Sequence, residues 1–255
     1  MGTVTIKSVT IGEGAPKLVI PLVGGTEEQI IEEAKLVKLF NPDVVEWRAD
    51  FYEEVEKLES VIGLAKQLRE IFIEEILLFT FRSHKEGGNK EISDAYYLEL
   101  NEEVIQNSSF DLVDIELFNE TSVLKALVSS AKENGVYVIM SNHDFIQTPA
   151  KEEIVARLEK MQENGADILK IAVMPNSIAD VLTLLEATNT MKMHERNCPV
   201  VTMAMGKMGM ISRLAGEVFG SSLTFGSAQG ASAPGQIPAD ELRTVLDIVH
   251  KNMRN

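Results

Sequence analysis

Along this chain, short runs of apolar and β-branched residues alternate with longer stretches in which apolar positions recur every three or four residues. The runs read as strands buried on both faces, and the longer stretches as amphipathic helices. Residues 4–11 alternate polar and apolar and close in Gly12-Glu13-Gly14-Ala15-Pro16, which predicts a small hairpin. A strand-then-helix unit then recurs. Strands are predicted at 17–23, 44–48, 76–81, 112–117, 136–140, 168–173, 199–205 and 223–226. Helices are predicted at about 26–39, 58–71, 92–105, 121–134, 149–164, 178–194, 209–219 and 239–253. Thr26-Glu27-Glu28-Gln29 fits a capping box, Thr148-Pro149 a cap with a first-turn proline, Ser177 a further cap, and Gly135 a helix stop. Eight strands alternating with eight helices predict one (β/α)8 barrel domain over residues 1–255, of the α/β TIM-barrel class with a short N-terminal hairpin. A doubly wound sheet would want a glycine-rich fingerprint after its first strand, and Val23-Gly24-Gly25-Thr26 is not one.

In a barrel, alternate strand residues face inward and active sites form at the C-terminal strand ends, so polar residues late in strands carry the interest. Glu46 and Arg48 share one face; so do Thr80 and Arg82, with Glu86 just beyond, and Asp114 and Glu116. The fifth barrel strand ends in Ser141-Asn142-His143-Asp144, the seventh offers Met203 and Met205, and Arg213 lies in the helix that follows. Lys170 sits in the middle of Ile168-Leu169-Lys170-Ile171-Ala172-Val173. A strand buried on both faces has no solvent for an ammonium group, whereas a buried lysine amine suits Schiff-base chemistry. Each residue alone has a plain structural reading: an ion-pair network fixing the interior, a snorkelling lysine, methionines as packing. Lysine, histidine and several carboxylates at the tops of different strands exceed what structure alone asks for.

Composition narrows the partners. A formal charge of −15 and a pI near 4.8 argue against nucleic acid and anionic membrane, though not against an anionic small substrate drawn by local arginines. The single cysteine, Cys198, allows no internal disulfide and fits a reducing cytoplasm, and no signal-like or membrane-length apolar run occurs. The histidines at 84, 143, 194 and 250 are scattered without metal-ligand spacing, so no metal and no cofactor are expected. Residues 226–236, rich in Gly, Ala and Ser, stand where many barrels bind phosphate, and equally suit a lid.

Glu46-Trp47-Arg48, Phe79-Thr80-Phe81-Arg82, Glu86-Gly87-Gly88, Ser141-Asn142-His143-Asp144-Phe145, Lys170-Ile171-Ala172, Ile211-Ser212-Arg213-Leu214-Ala215-Gly216 and Ala231-Ser232-Ala233-Pro234-Gly235-Gln236 resemble type I 3-dehydroquinate dehydratase over essentially the whole chain. The resemblance implies a homodimeric barrel that dehydrates 3-dehydroquinate to 3-dehydroshikimate in the shikimate pathway. It implies that Lys170 forms the Schiff base with the C3 ketone, His143 is the general acid and base, and Glu86 orients the imidazole. Arg213, Ser232 and Gln236 would hold the substrate carboxylate, and Glu46, Arg48 and Arg82 the ring hydroxyls. Met203, Met205 and Phe225 would form an apolar wall that desolvates Lys170. Two places depart from the family pattern: Pro21, where many members carry a serine, and the glycine- and methionine-rich Met205-Gly206-Lys207-Met208-Gly209. A class I aldolase or transaldolase is the alternative enzyme, and a non-catalytic metabolite-binding barrel the alternative class.

Overall fold

A computed structural model of the chain describes residues 2–107, 109–194, 198–228 and 233–253. Strands β1 (Val4–Ile6) and β2 (Val9–Ile11) pair antiparallel as the predicted hairpin. The first half of the barrel then runs β3 (Lys17–Leu22), α1 (Glu27–Lys38), β4 (Val44–Arg48), α2 (Leu58–Ile71), β5 (Ile76–Thr80), α3 (Asp94–Gln106), β6 (Leu112–Glu116) and α4 (Thr121–Glu133). The second half runs β7 (Tyr137–Asp144), α5 (Lys151–Glu163), β8 (Ile168–Val173), α6 (Ile178–Met193), β9 (Val200–Ala204), α7 (Met210–Leu214), α8 (Gly216–Phe219), β10 (Leu223–Ser227), β11 (Ile237–Pro238) and α9 (Ala239–Met253).

Strands β3 to β9 pair in parallel in chain order, and β10 pairs with β3. The ring closes where Ser221 bridges Val200 and the Ser222 N–H donates to the Val200 carbonyl at 2.8 Å. Inward residues divide into two layers. Toward the N-terminal end they are apolar (Val19, Val44, Ile76, Leu112, Ile139, Ile168), and Ile6 and Ile11 of the hairpin plug that end. Toward the C-terminal end the same parity carries Glu46, Arg48, Thr80, Asp114, Ser141, His143 and Lys170, all buried. Outward residues such as Leu18, Val45, Trp47, Phe79 and Ile115 form the larger core beneath the helices. The fold therefore spends its apolar surface below and around a polar chamber.

Local signals act as the sequence reads them at Thr26, which makes a capping box with Gln29, at Ser177, which makes one with Asp180, and at Gly135, which takes φ 71. Three differ. Thr148 is no cap: its hydroxyl donates to the Met174 carbonyl at 3.1 Å, and α5 begins at Lys151 behind Ala150. The helix predicted over 209–219 breaks at Ala215, because the Arg213 carbonyl accepts the Thr224 hydroxyl at 2.9 Å. The break lets Gly216 lie where a Cβ would be 2.9 Å from the Pro16 ring. Strand β7 runs on to Asp144 because Ser141 and His143 pair in register with Lys170 and Ala172.

Candidate active site

Lys170 has strands on both sides and is 2% exposed, so protein groups alone neutralise its head. Its Nζ donates to Asp114 Oδ2 at 2.8 Å, lies 3.7 Å from Glu46 Oε1, and stands 4.8 Å from the Phe225 ring centroid. The Ser141 hydroxyl donates to the other Asp114 oxygen, and Arg82 Nη2 is 3.6 Å away. Burial pushes the Asp114 carboxyl up, but Lys170, Arg82 and the hydrogen bonds outweigh it and hold the group below its ordinary value. The group nearest the amine is thus a carboxylate, with the Phe225 ring of the apolar wall that the resemblance implies 4.8 Å away.

His143 projects from β7, and Glu86 ends a one-turn helix after β5, where Gly87 turns the chain at φ 81. Glu86 Oε2 accepts the His143 backbone N–H at 2.8 Å and lies 2.9 Å from its Nδ1, while Oε1 accepts Asn142 Nδ2 at 3.0 Å. Burial, then repulsion from Glu116, raise the Glu86 carboxyl to about 8 against the pull of Arg82 and these hydrogen bonds. Burial, with the cations Arg82, Lys170 and Arg48 behind it, pushes the His143 imidazole well below its ordinary value, so the ring is neutral. With Glu86 ionised, Nδ1 carries the ring proton and Nε2 is left as an acceptor.

The arginines differ in their partners. Arg48 is held by Asp50 in two parallel bonds of 2.8 Å, and Asp50 also accepts the Asn89 N–H. Arg82 sits 3.3 Å from Glu116. Arg213, in the last turn of α7 and 1% exposed, meets Met203 Sδ at 3.8 Å from Nη1 and donates from Nη2 to the Pro234 carbonyl at 3.2 Å. Among the described residues its Nε has no hydrogen-bond partner, and burial lowers its pKa to about 10. Among the described residues no carboxylate pairs with it, so a buried cation faces the chamber ready for an anion.

A cavity of about 250 Å³ brings these groups together. Of the residues singled out in the sequence, Glu46, Arg48, Arg82, His143, Lys170, Met203, Met205, Arg213, Phe225 and Gln236 line it. Glu86 stands behind His143 instead, and Ser232 lies outside the described residues. Sequence reasoning left Asp114 out of the site although its inward parity was visible, and it missed Asp50, Asn142 and Phe145. The turn after β9 explains its glycines: Gly206 takes φ 69, and its N–H donates to the Pro234 carbonyl at 3.1 Å. Among the described residues no group of three or more His, Cys, Asp or Glu is arranged to hold a metal.

The family model for type I 3-dehydroquinase matches residues 18–253. The 3-dehydroquinate dehydratase of Bacillus subtilis (strain 168) is 57% identical over 254 residues, covering 100% of both chains. This chain belongs to the type I 3-dehydroquinases. The 3-dehydroquinate dehydratase of Listeria innocua is 55% identical over 251 residues, 98% of this chain and 99% of that one. A type I 3-dehydroquinate dehydratase from Clostridium difficile, solved with covalently modified comenic acid, superposes with a TM-score of 0.95 at 51% identity, covering 98% of each chain. A type I 3-dehydroquinase is a hydro-lyase of the shikimate pathway that works through a Schiff base, which disfavours the aldolase and binding-only readings. Among the described residues, no helix of this 3-dehydroquinase is long and apolar enough to cross a membrane.

Proposed function

We propose that Lys170, His143, Glu86 and Arg213 divide the dehydration of 3-dehydroquinate to 3-dehydroshikimate among them. The observation that carries this assignment is the shared cavity, lined by a buried amine, a neutral imidazole and a guanidinium without a carboxylate partner among the described residues. Arg213 fits the substrate carboxylate, with Gln236 beside it and Ser232 assigned to the same duty by resemblance alone. Glu46, Arg48 and Arg82 hold the ring hydroxyls, and Met203, Met205 and Phe225 pack against the ring.

Lys170 passes its ammonium proton to Asp114, and its free Nζ adds to the C3 ketone. The same proton, returned to the carbinolamine hydroxyl, lets water leave and gives an iminium that draws electrons from C2. His143 Nε2 takes the C2 proton, leaving an enamine. The enamine expels the C1 hydroxyl as the imidazolium returns that proton to it, so water leaves and the base is restored. Water then hydrolyses the product iminium and frees Lys170. Glu86 keeps the imidazole in the tautomer that this cycle needs.

The 255 residues act as one catalytic barrel domain, in the cytoplasm, with a second copy on the exposed apolar face of α6 (Ile178 at 62%, Leu182 at 61%). Incubation with 3-dehydroquinate and sodium borohydride tests the core of the reading. A reduced adduct on Lys170, and no turnover in Lys170→Ala, are expected; an unmodified Lys170 overturns it. His143→Ala should still form the adduct while eliminating very slowly.

A further inference from the structure

A chain of three side chains runs from the outside of the barrel to the reacting centre. β7 alternates, so Ser141 and His143 point inward while Asn142 points toward α5. Arg157 on α5 donates from Nη1 to Asn142 Oδ1 at 2.9 Å, and Asn142 Nδ2 donates to Glu86 Oε1 at 3.0 Å. Glu86 in turn meets His143 Nδ1 at 2.9 Å. A carboxamide has a donor end and an acceptor end of nearly equal shape, so its neighbours decide its sense. A guanidinium only donates. Arg157 therefore requires the amide oxygen on its own side and sends the NH₂ to Glu86.

We propose that Arg157 is a positioning residue for the dehydration: by fixing the sense of the Asn142 amide it aims a donor at the Glu86 carboxyl, and so favours the ionised Glu86 that holds His143 in the tautomer whose Nε2 receives the substrate proton. The proposal rests on the roles given above to Glu86 and His143. Several charges bear on the pair. Arg82 and Glu116 face Glu86, and Arg82, Lys170 and Arg48 face His143. His84 and Lys85, on the Glu86 turn, are exposed. Arg157 is itself held by Glu153 at 2.7 Å, has Asp144 at 3.9 Å, and lies over the Phe118 ring, as does Lys160.

Burial and Glu116 favour a protonated Glu86, and Arg82, then the Asn142 donor and the His143 N–H, oppose them. A protonated Glu86 would present its proton to Nδ1, leaving the imidazole proton on Nε2, where it blocks proton abstraction. Losing Arg157 frees the amide to turn its oxygen toward Glu86 Oε1, which withdraws the donor and favours a protonated carboxyl. A proton on either oxygen removes the negative charge that stabilises the His143 imidazolium.

The test is kcat and KM for 3-dehydroquinate across pH, on the full chain. Activity requires Glu86 to have lost its proton, so the acid limb of kcat rises with pH through the titration of the pair. In Arg157→Met the limb should move up by about one pH unit, with kcat about ten-fold lower on that limb, recovery at high pH and KM unchanged. Arg157→Lys, which still donates to Oδ1, should restore part of the shift. Asn142→Leu should give the same displacement, and the double variant no more than either single. Equal loss at every pH, additive effects, or an unmoved limb in Asn142→Leu overturns the proposal, the last independently of whether Arg157→Met folds. Near-normal turnover in His143→Ala would instead break the assignment on which it rests.

Discussion

Lys170 and Asp114 are 2% and 1% exposed, so each is the counter-charge that lets the other stay in the barrel. Removing one partner of such a pair leaves a buried charge uncompensated, at a loss of about 3–5 kcal/mol. Asp114→Leu should therefore destabilise the fold by about that much, and adding Lys170→Met should recover most of it. Urea unfolding of the two singles and the double checks this, and simple additivity would refute the pairing. Glu86 makes a second prediction. Its folded value, about 8, lies above the ordinary one, so the native state binds this proton more tightly than the unfolded chain does. The stability it contributes is complete below about pH 4.3 and is lost as pH rises through the folded value. Glu86→Gln has no such proton. Its stability relative to the parent should rise by up to about 1.4 kcal/mol per pH unit between roughly pH 5 and 8. A difference that stays flat across that range in denaturant titrations would contradict it. The same proton is the one that Arg157 restrains, so stability and activity draw in opposite directions on Glu86.

At the scale of elements, the segment before β11 and the turn after β9 meet backbone to backbone. Gly235 takes φ 80, and a Cβ there would stand 2.4 Å from the Gly206 carbonyl oxygen. Gly235→Ala is both strained and blocked by an atom that cannot rotate away. The segment should lift, drawing the Pro234 carbonyl from Arg213. Steady-state kinetics should show KM for 3-dehydroquinate raised about ten-fold, as expected from misplacing one charged hydrogen-bonding group, with the urea midpoint little changed. An unchanged KM would mean that Pro234 does not place Arg213. Elements of this kind mark where the sequence stops being legible. Strands such as Ile168–Val173 show in a run of apolar residues, and alternation within them places Glu46 with Arg48 on one face and Lys170 with Ile168 and Ala172 on another strand's inward face, whereas His143 lies beyond the strand that the sequence predicts. Contacts between elements leave no such trace. Nothing local says that Thr224 will take the Arg213 carbonyl and break a helix, or that Asn142, on the outward parity, will reach Glu86 from behind. Thr148-Pro149 reads as a cap, yet Met174 outcompetes the helix for the hydroxyl.

At the scale of the molecule, a net charge of −15 surrounds a chamber holding Arg48, Arg82, Lys170 and Arg213, so attraction for an anionic substrate is a property of the cavity alone. The outer surface has a different task. One side of α6 packs Val181, Leu184, Ala187 and Met191 into the core, and the other exposes Ile178 and Leu182, with Ile146, 82% exposed, on the loop that accepts Asn176 beside the helix start. A helix that exposes apolar residues opposite its packed side offers a surface for a partner. A second copy placing the same face there would make a self-complementary contact, and a stable one buries about 800 Å² per partner. Ile178→Glu with Leu182→Lys should convert a dimer to a monomer in analytical ultracentrifugation. Every residue assigned to the reaction comes from one chain, so kcat/KM per chain should stay within about two-fold, the range of a surface substitution. A parent protein that already sediments as a monomer, or a variant that remains dimeric, would place the partner elsewhere. A variant that dissociates and loses activity would show that the barrel needs its neighbour to hold the strand ends in register.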